Sequence, residues 1–256
     1  MYRDFMITKQ VETAFEFQTP QEKARYVRRM FDAIARRYDL MNRLMTLGRD
    51  QSWRHRTIRR AAISKDGRVL DIATGTADLA IAALDANPRK VVAADFSLQM
   101  LDLANRKLRA RDLDSEIVLA AADGLCLPFT DNFFDAVITA FSLRNVGNLD
   151  LFLSEMLRVT RPGGRVVCLE ITQPRLPGFR KLFAWYFGKV VPKIGALISD
   201  DSQAYSYLPH SVSIFISPEE LRERMQKVGM KDVGFEKLQF GTIAIHWGEK
   251  TKGVMD

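Results

Sequence analysis

The chain has 256 residues, 47% hydrophobic, 10% aromatic and 27% charged, which suits a soluble globular fold and excludes disordered, collagen-like and disulfide-stapled chains. Its net charge of +7 is confined to residues 1–66, where 15 Lys and Arg oppose 8 Asp and Glu; the other 190 residues carry 23 of each. No run of about 18 uncharged apolar residues is available to span a membrane, residues 1–10 lack the apolar region of a signal peptide, and Cys126 and Cys168 form neither a metal knuckle nor a redox pair.

Residues 23–47 place Tyr26, Met30, Phe31, Ile34, Tyr38, Met41, Leu44 and Met45 at three- and four-residue steps, which predicts one amphipathic helix stopped by Gly48. A basic helix follows over residues 53–62. The pattern then alternates: strands at 68–73, 90–95, 117–121, 134–140 and 165–171, with helices at 78–85, from Ser97 as N-cap to about 111, and at 149–159 before Pro162-Gly163-Gly164. Such alternation predicts a mostly parallel, Rossmann-like α/β sheet with right-handed crossovers. An aromatic stretch fills 174–215, and a helix at 218–228 and strands at 232–238 and 242–247 close the chain. With no repeat or low-complexity linker, the expectation is one domain over 1–256: a helical cap (1–66), a cofactor-binding core (67–172), an aromatic lid over the substrate (173–215) and a closing helix and strands (216–256). Both cysteines lie in apolar runs and read as buried small hydrophobes of a reducing, cytoplasmic compartment.

The first core strand runs into Asp71-Ile72-Ala73-Thr74-Gly75-Thr76-Ala77-Asp78. Gly75 at a strand-to-helix turn allows close approach of a ligand to the backbone. Asp95 ends the next strand, where an acid accepts two ribose hydroxyls beyond the carboxyl edge of a parallel sheet. A dinucleotide site would use three glycines, G-x-G-x-x-G, and would suffer from Asp71 beside its pyrophosphate. A nucleoside with a cationic tail fits better, with Asp71 steering the cation. Asp123 and Gly124 follow the third strand, where a carboxylate accepts an adenine amino group. Acids at successive strand ends, followed by Pro128-Phe129 and Phe134-Asp135, resemble the class I S-adenosyl-L-methionine-dependent methyltransferases over residues 67–172.

A second resemblance covers nearly the whole chain. Tyr38-Asp39-Leu40-Met41-Asn42-Arg43-Leu44-Met45 with Leu47-Gly48 and Trp53 is similar to the first signature of the ubiquinone/menaquinone biosynthesis C-methyltransferase family (demethylmenaquinone methyltransferase type). Leu143-Arg144-Asn145-Val146, with Glu155-Met156, Arg158-Val159 and Arg161-Pro162-Gly163-Gly164, resembles its second signature; Leu169-Glu170, Tyr186-Phe187, Val191-Pro192, Ile194-Gly195 and Tyr205-Ser206-Tyr207-Leu208-Pro209 agree as well. The resemblance implies an antiparallel final strand and S-adenosyl-L-methionine as cofactor. The implied acceptor is a polyprenylated quinol, demethylmenaquinol or the equivalent ubiquinol precursor, in respiratory quinone biosynthesis; another small or lipid acceptor is the alternative. It puts Thr76, Asp95, Asp123, Gly124 and Ala140 in the cofactor site beside Asp71 and Gly75. Two departures stand out: Ala140 replaces a frequent serine, and Ala77 replaces a glycine, its β-carbon expected to narrow the cleft slightly.

Ring methylation proceeds when the hydroxyl next to the acceptor carbon loses its proton, so a cation near the phenolate is expected. Arg144 takes that role, Asn145 holds the second oxygen, and Tyr38, with Asp39, closes the site from the cap. For Arg144 a surface ion pair and for Tyr38 a core position are the competing readings. His246, in an apolar strand, reads as a core histidine. No metal-ligand spacing occurs, so no metal is expected. The glycine-poor turn argues against a nicotinamide dehydrogenase. The neutral core, with no aromatics interleaved among the basic doublets Arg28-Arg29, Arg36-Arg37 and Arg59-Arg60, argues against a nucleic-acid partner. The basic cap and the run Phe179-Arg180-Lys181-Leu182-Phe183-Ala184-Trp185-Tyr186-Phe187 suggest reversible attachment at the inner face of the cytoplasmic membrane, or, for the run, a lid packed on the core. Homo-oligomers are left open.

Overall fold

Thr19 starts the first helix: its Oγ1 accepts the Glu22 N–H at 3.1 Å while Glu22 Oε2 reaches back to the Gln18 N–H at 2.9 Å, and Pro20 supplies a pre-set φ. The computed structural model describes residue 15 and residues 17–191 and 202–252. Residues 1–10, read as lacking a leader, and Pro192, Ile194 and Gly195 of the family-like segments lie outside the described residues.

The cap is α1 (Pro20–Ile34), α2 (Tyr38–Thr46) and α3 (Asp50–Ala61). The single helix expected over 23–47 is thus divided by a tight turn, Ala35–Arg37. Three residues per turn instead of 3.6 advance the phase of α2 by a fraction of a turn, a slip that apolar spacing does not record. Leu47 ends α2 in a left-handed conformation (φ 52°) one residue before Gly48 (φ 74°), and the Gly48 N–H reaches back to the Arg43 carbonyl at 2.9 Å.

The core strands are β1 (Arg68–Ile72), β2 (Lys90–Asp95), β3 (Ile117–Ala121), β4 (Phe134–Ala140), β5 (Thr160–Ile171), β6 (Lys231–Leu238) and β7 (Ile243–Glu249), in the order β3-β2-β1-β4-β5-β7-β6. All are parallel except β7, which runs antiparallel to both neighbours. β5 begins earlier than expected: Thr160 pairs with Phe134, and Pro162-Gly163-Gly164 forms an irregularity within the strand rather than a loop before it. A Cβ on Gly164 would stand 2.7 Å from the Asp135 carbonyl, so glycine permits that pairing.

Alternate residues of β1 face opposite cores. Val69 packs with Trp53 and Ile58 of α3 and with α4 (Asp78–Ala83) and α5 (Leu98–Arg109). Leu70 and Ile72 pack with Phe152, Leu153 and Met156 of α6 (Leu149–Val159) and Leu221 and Met225 of α9 (Pro218–Lys227). By the same alternation Asp71 shares the α3 face with Val69. The chain turns from β3 back to β4, on the other side of β1, so the carboxyl ends of β1 and β4 bound the crevice where such sheets bind ligands. Above it lie α7 (Pro177–Trp185) and α8 (Ser202–Ile214).

Cys168 is buried as expected, but Cys126 is exposed, because it lies in the loop after β3 and not in a packed strand. His246 is a core histidine: fully buried on β7, Nε2 lies 2.9 Å from the Pro218 carbonyl, and burial pulls its pKa down to about 4. No described helix is long and apolar enough to cross a membrane.

Candidate active site

The turn between β1 and α4 is held by its own acids. Asp71 Oδ2 accepts the Thr74 hydroxyl at 2.6 Å. Asp95, at the end of β2, accepts the Gly75 N–H on Oδ2 and the Ser97 N–H on Oδ1, each at 2.8 Å. Gly75 is left-handed (φ 57°), and a Cβ there would meet only Tyr38 Cε1 at an ordinary 3.8 Å, so it is the backbone angle that favours glycine here. Burial raises the pKa of both acids; the backbone donors partly offset this at Asp95, whereas Asp71 reaches about 7.

Two adjoining cavities are lined by this turn, and a third joins them at Tyr38. The first is lined by Gly75, Asp95, Asp123, Gly124 and Ala140 from the core and by Tyr38 and Asn145. The second, which is larger, is lined by Arg144, Asn145 and Tyr38 and walled by aromatics of α7 and the residues after it, among them Phe179, Phe183 and Phe187. The third is a small recess holding Asp71, Thr76, Arg54, Tyr38 and Ala140. Arg144, Asn145 and each expected cofactor-side residue line at least one of the three, Tyr38 lines all of them, and Asp39, expected to close the site with Tyr38, lines none.

Several roles differ from expectation. Arg144 is not a free cation: Nη1 pairs with buried Glu170 Oε1 at 2.5 Å and donates to the Phe141 carbonyl at 2.7 Å. Its Nε has no partner. Thr76 donates its hydroxyl to Asp39 Oδ1 at 2.5 Å, so its side chain ties the cap to the turn. Gly124 is required by packing as well as by the cleft, since a Cβ there would stand 2.3 Å from Phe152 Cε2. Ala77 does not narrow the cleft; its methyl is buried in the core and lines none of these cavities. In the run 179–187, Phe179, Phe183 and Phe187 line the second cavity and the Tyr186 hydroxyl donates to the Met45 carbonyl at 3.1 Å, while Leu182 and Trp185 are more than half exposed.

The cap is latched to the core by polar contacts: Lys107 bridges Asp39 at 2.5 Å and Asp78 at 2.8 Å, Ser97 donates to Asp32 at 2.5 Å, and Lys23 donates to the Arg144 and Val146 carbonyls at 2.9 and 3.0 Å. Two functional candidates were missed. Glu170 is an acid in an otherwise apolar strand, which on its own calls for a cationic partner. Arg54 is nearly fully buried within a basic helix, and nothing in its spacing distinguishes it from its exposed neighbours.

The first cavity suits a nucleoside with a positively charged tail: its acids Asp95 and Asp123 face it, Asp71 leaves Oδ1 buried without a partner in the adjoining recess, and no Lys or Arg lines it. A pyrophosphate would find no cation, and the Gly75 N–H is already taken by Asp95. Among the described residues no group of three His, Cys, Asp or Glu is placed to hold a metal.

The profile of the ubiE/COQ5 methyltransferase family matches residues 19–250. A demethylmenaquinone methyltransferase of Thermus thermophilus is 45% identical over 222 residues, 86% of this chain and all of that protein. The ubiquinone/menaquinone biosynthesis C-methyltransferase UbiE of Desulfotalea psychrophila is 42% identical over 88% of this chain and 90% of its own length. Among solved structures, a SAM-dependent methyltransferase of Thermotoga maritima superposes with a TM-score of 0.62 at 15% identity, over 88% of this chain and all of that one, which speaks to the fold. The chain belongs to the ubiE/COQ5 methyltransferase family and has the class I S-adenosyl-L-methionine-dependent methyltransferase fold.

Proposed function

We propose that this member of the family methylates a ring carbon of a polyprenylated quinol, of the kind its relatives are named for, at the junction of the first two cavities. The observation that carries the reading is the pairing of a polar, acid-lined cleft with a larger aromatic chamber, with Tyr38 and Asn145 lining both. Bound S-adenosyl-L-methionine supplies an electrophilic methyl on a sulfonium. Asp95 and Asp123 are the residues to hold its ribose and adenine, with Gly75, Gly124 and Ala140 giving backbone-close walls.

In the chamber, Asn145 presents an Oδ1 with no partner, an acceptor for a ring hydroxyl, while its Nδ2 is held by the Phe141 carbonyl at 3.3 Å. Burial raises the Tyr38 pKa, so Tyr38 stays protonated near pH 7 and acts as a hydrogen-bond donor, not a base. Arg144, held by Glu170, keeps an unpartnered Nε, the donor assigned here to the developing phenolate. Because that pair is charge-neutral, Arg144 contributes a directed donor more than a net positive field. Positioning of the ring against the cleft supplies several kcal/mol of the barrier.

The tail leaves the chamber past Leu47, 86% exposed, and Phe240, 73% exposed, which line it, with exposed Leu182 and Trp185 on α7 nearby in the chain and Arg49 at the same rim. An apolar mouth with a basic border suits reversible docking on anionic lipid. Part of the cap's charge is spent within the chain, as Arg56 and Arg60 both pair with Glu236, but Arg28, Arg29, Arg36 and Arg37 stay exposed. The test is transfer of labelled methyl to short-chain demethylated naphthoquinol and benzoquinol under reducing conditions, followed by mass spectrometry. Ring methylation of either is expected; cofactor binding without methylation of either would favour another acceptor. Sedimentation with anionic liposomes at low salt, lost at high salt or with neutral lipid, is expected for the docking, and salt-indifferent binding would overturn its electrostatic part.

A further inference from the structure

Tyr207 lines the aromatic chamber, and the reaction above gives it no task. It sits on α8, which packs against α1 and against the turn Leu143–Asn145 that carries Arg144. Its ring is wedged among Val27, Met30, Ile34 and Met41 of the cap and meets Phe15 edge-on, with centroids 5.5 Å apart and planes at 74°. Only 3% of the residue is exposed, yet its buried hydroxyl has no hydrogen-bond partner. A hydroxyl left in that state is costly. Tyr186, another tyrosine of the chamber, shows the usual remedy by donating to the Met45 carbonyl.

Four residues lining the chamber keep a buried polar atom without a partner. Arg144 Nε, Tyr207 Oη and Asn42 Nδ2 can donate, and Asn145 Oδ1 accepts. A quinol that has lost one proton asks for such a set, because its phenolate oxygen takes more than one donor and its remaining hydroxyl needs an acceptor. Of these donors, Tyr207 is the one whose helix rests on the Arg144 turn, and its hydroxyl feels the Arg144 charge. Glu170 and Tyr26 are the other titratable groups that act on it, and His210 of its own helix lies against the Phe15 ring. Burial outweighs Arg144 and pushes the hydroxyl up to about 12, so it keeps its proton near neutral pH and serves as a donor, not a base.

We propose that Tyr207 is a further catalytic residue of the methyl transfer, its hydroxyl donating alongside Arg144 Nε to the phenolate oxygen of the acceptor; this rests on the reading of the chamber as the quinol site. Tyr207 keeps its own proton throughout. Two donors on one oxygen lower the pKa of the bound quinol and favour the ionised ring that attacks the sulfonium methyl.

The test compares Tyr207→Phe with the unaltered full chain on the short-chain demethylated naphthoquinol and benzoquinol, under reducing conditions from about pH 6 to about pH 9. Because the lost hydroxyl has no partner in the ligand-free protein, Tm is expected to stay level or rise. S-adenosylhomocysteine affinity should hold within about 3-fold, while kcat near pH 7 falls roughly 10- to 100-fold, the worth of one hydrogen bond to a charged group. The rise of kcat with pH should also move upward by about one to two pH units, since the same loss raises the pKa of the bound quinol, and the deficit should shrink toward alkaline pH. A kcat within about 3-fold of the unaltered protein's overturns the proposal. So does a loss that is equal at every pH, or one that comes with a lowered Tm or a failure to fold, which would make the hydroxyl a packing group. Methylation of neither quinol by the unaltered protein, with S-adenosylhomocysteine still bound, would instead overturn the quinol reading itself.

Discussion

Replacing Asp71 by Asn should move stability and cofactor affinity in opposite directions, each with its own pH dependence. Burial lifts the Asp71 carboxyl from 3.8 to about 7. The folded protein therefore binds this proton more tightly than the unfolded chain does, and stability from this group falls as pH rises from about 4 to 7. About three units at 1.36 kcal/mol each make the full cost roughly 4 kcal/mol above pH 7, an upper bound because the burial of Asp71 is eased on ligand binding and by local water. Asp71→Asn should thus raise the Tm of the ligand-free protein at pH 8 and change it little at pH 4. Ligand binding has the reverse sense. If a cation binds only the ionised carboxylate, affinity weakens about tenfold per unit once pH falls well below 7, and up to one proton is released on binding near pH 6. Calorimetry with S-adenosylhomocysteine between pH 5 and 7, in two buffers of different ionisation enthalpy, counts that proton. Asp71→Asn should bind more weakly at pH 7 and lose most of the pH slope, which separates Asp71 from Asp95. Parallel affinity profiles for the two proteins, or a stability difference that shrinks as pH rises, would refute the reasoning.

Asp95→Ala should weaken S-adenosylhomocysteine binding by about 1–3 kcal/mol, since it strips the cleft of an acceptor and strands the Gly75 and Ser97 N–H groups that point at it; an unchanged Kd removes it from the ribose role. Arg144→Ala should lower kcat with S-adenosylhomocysteine affinity nearly unaltered, and should also cost about 3–5 kcal/mol of stability because Glu170 is left charged and buried. A stable variant with weakened cofactor binding would assign Arg144 to the cleft instead. Gly124→Ala places a β-carbon against Phe152 and should lose about 1–3 kcal/mol in urea denaturation, with no loss indicating that α6 shifts freely.

The parallel core was legible because its signals are local. Apolar runs of five to seven residues, N-caps such as Ser97, and acids ending β1 and β2 each lie within a few residues of the feature they specify. The same locality explains the cofactor-side residues: Gly75 and Asp95 announce themselves by position relative to a strand end, and their mutual hydrogen bond follows from β1 and β2 being parallel neighbours. The substrate side was legible in identity but not in state. Leu143-Arg144-Asn145 marks a loop at the mouth, yet nothing in that spacing shows that Glu170, 26 residues on and on the adjacent strand, would take up the guanidinium.

Contacts between the cap and the core lie beyond any such pattern. Arg54 is one of several arginines on a basic helix, Thr76 reads as a cofactor residue, and Lys107 of α5 belongs to no motif. Only the packing of α2 and α3 on the Asp71 face makes the first a buried cation in the recess and gives the other two to Asp39. The change of phase at Ala35–Arg37 is what directs α2 there, and it leaves the apolar spacing nearly intact. Charges buried at such a junction are costly unless matched. Asp39 is matched within the chain by Lys107 and Thr76, whereas Arg54 and Asp71 keep unmet atoms facing one recess. The difference separates polar groups that join cap to core from polar groups left with unused hydrogen-bonding capacity.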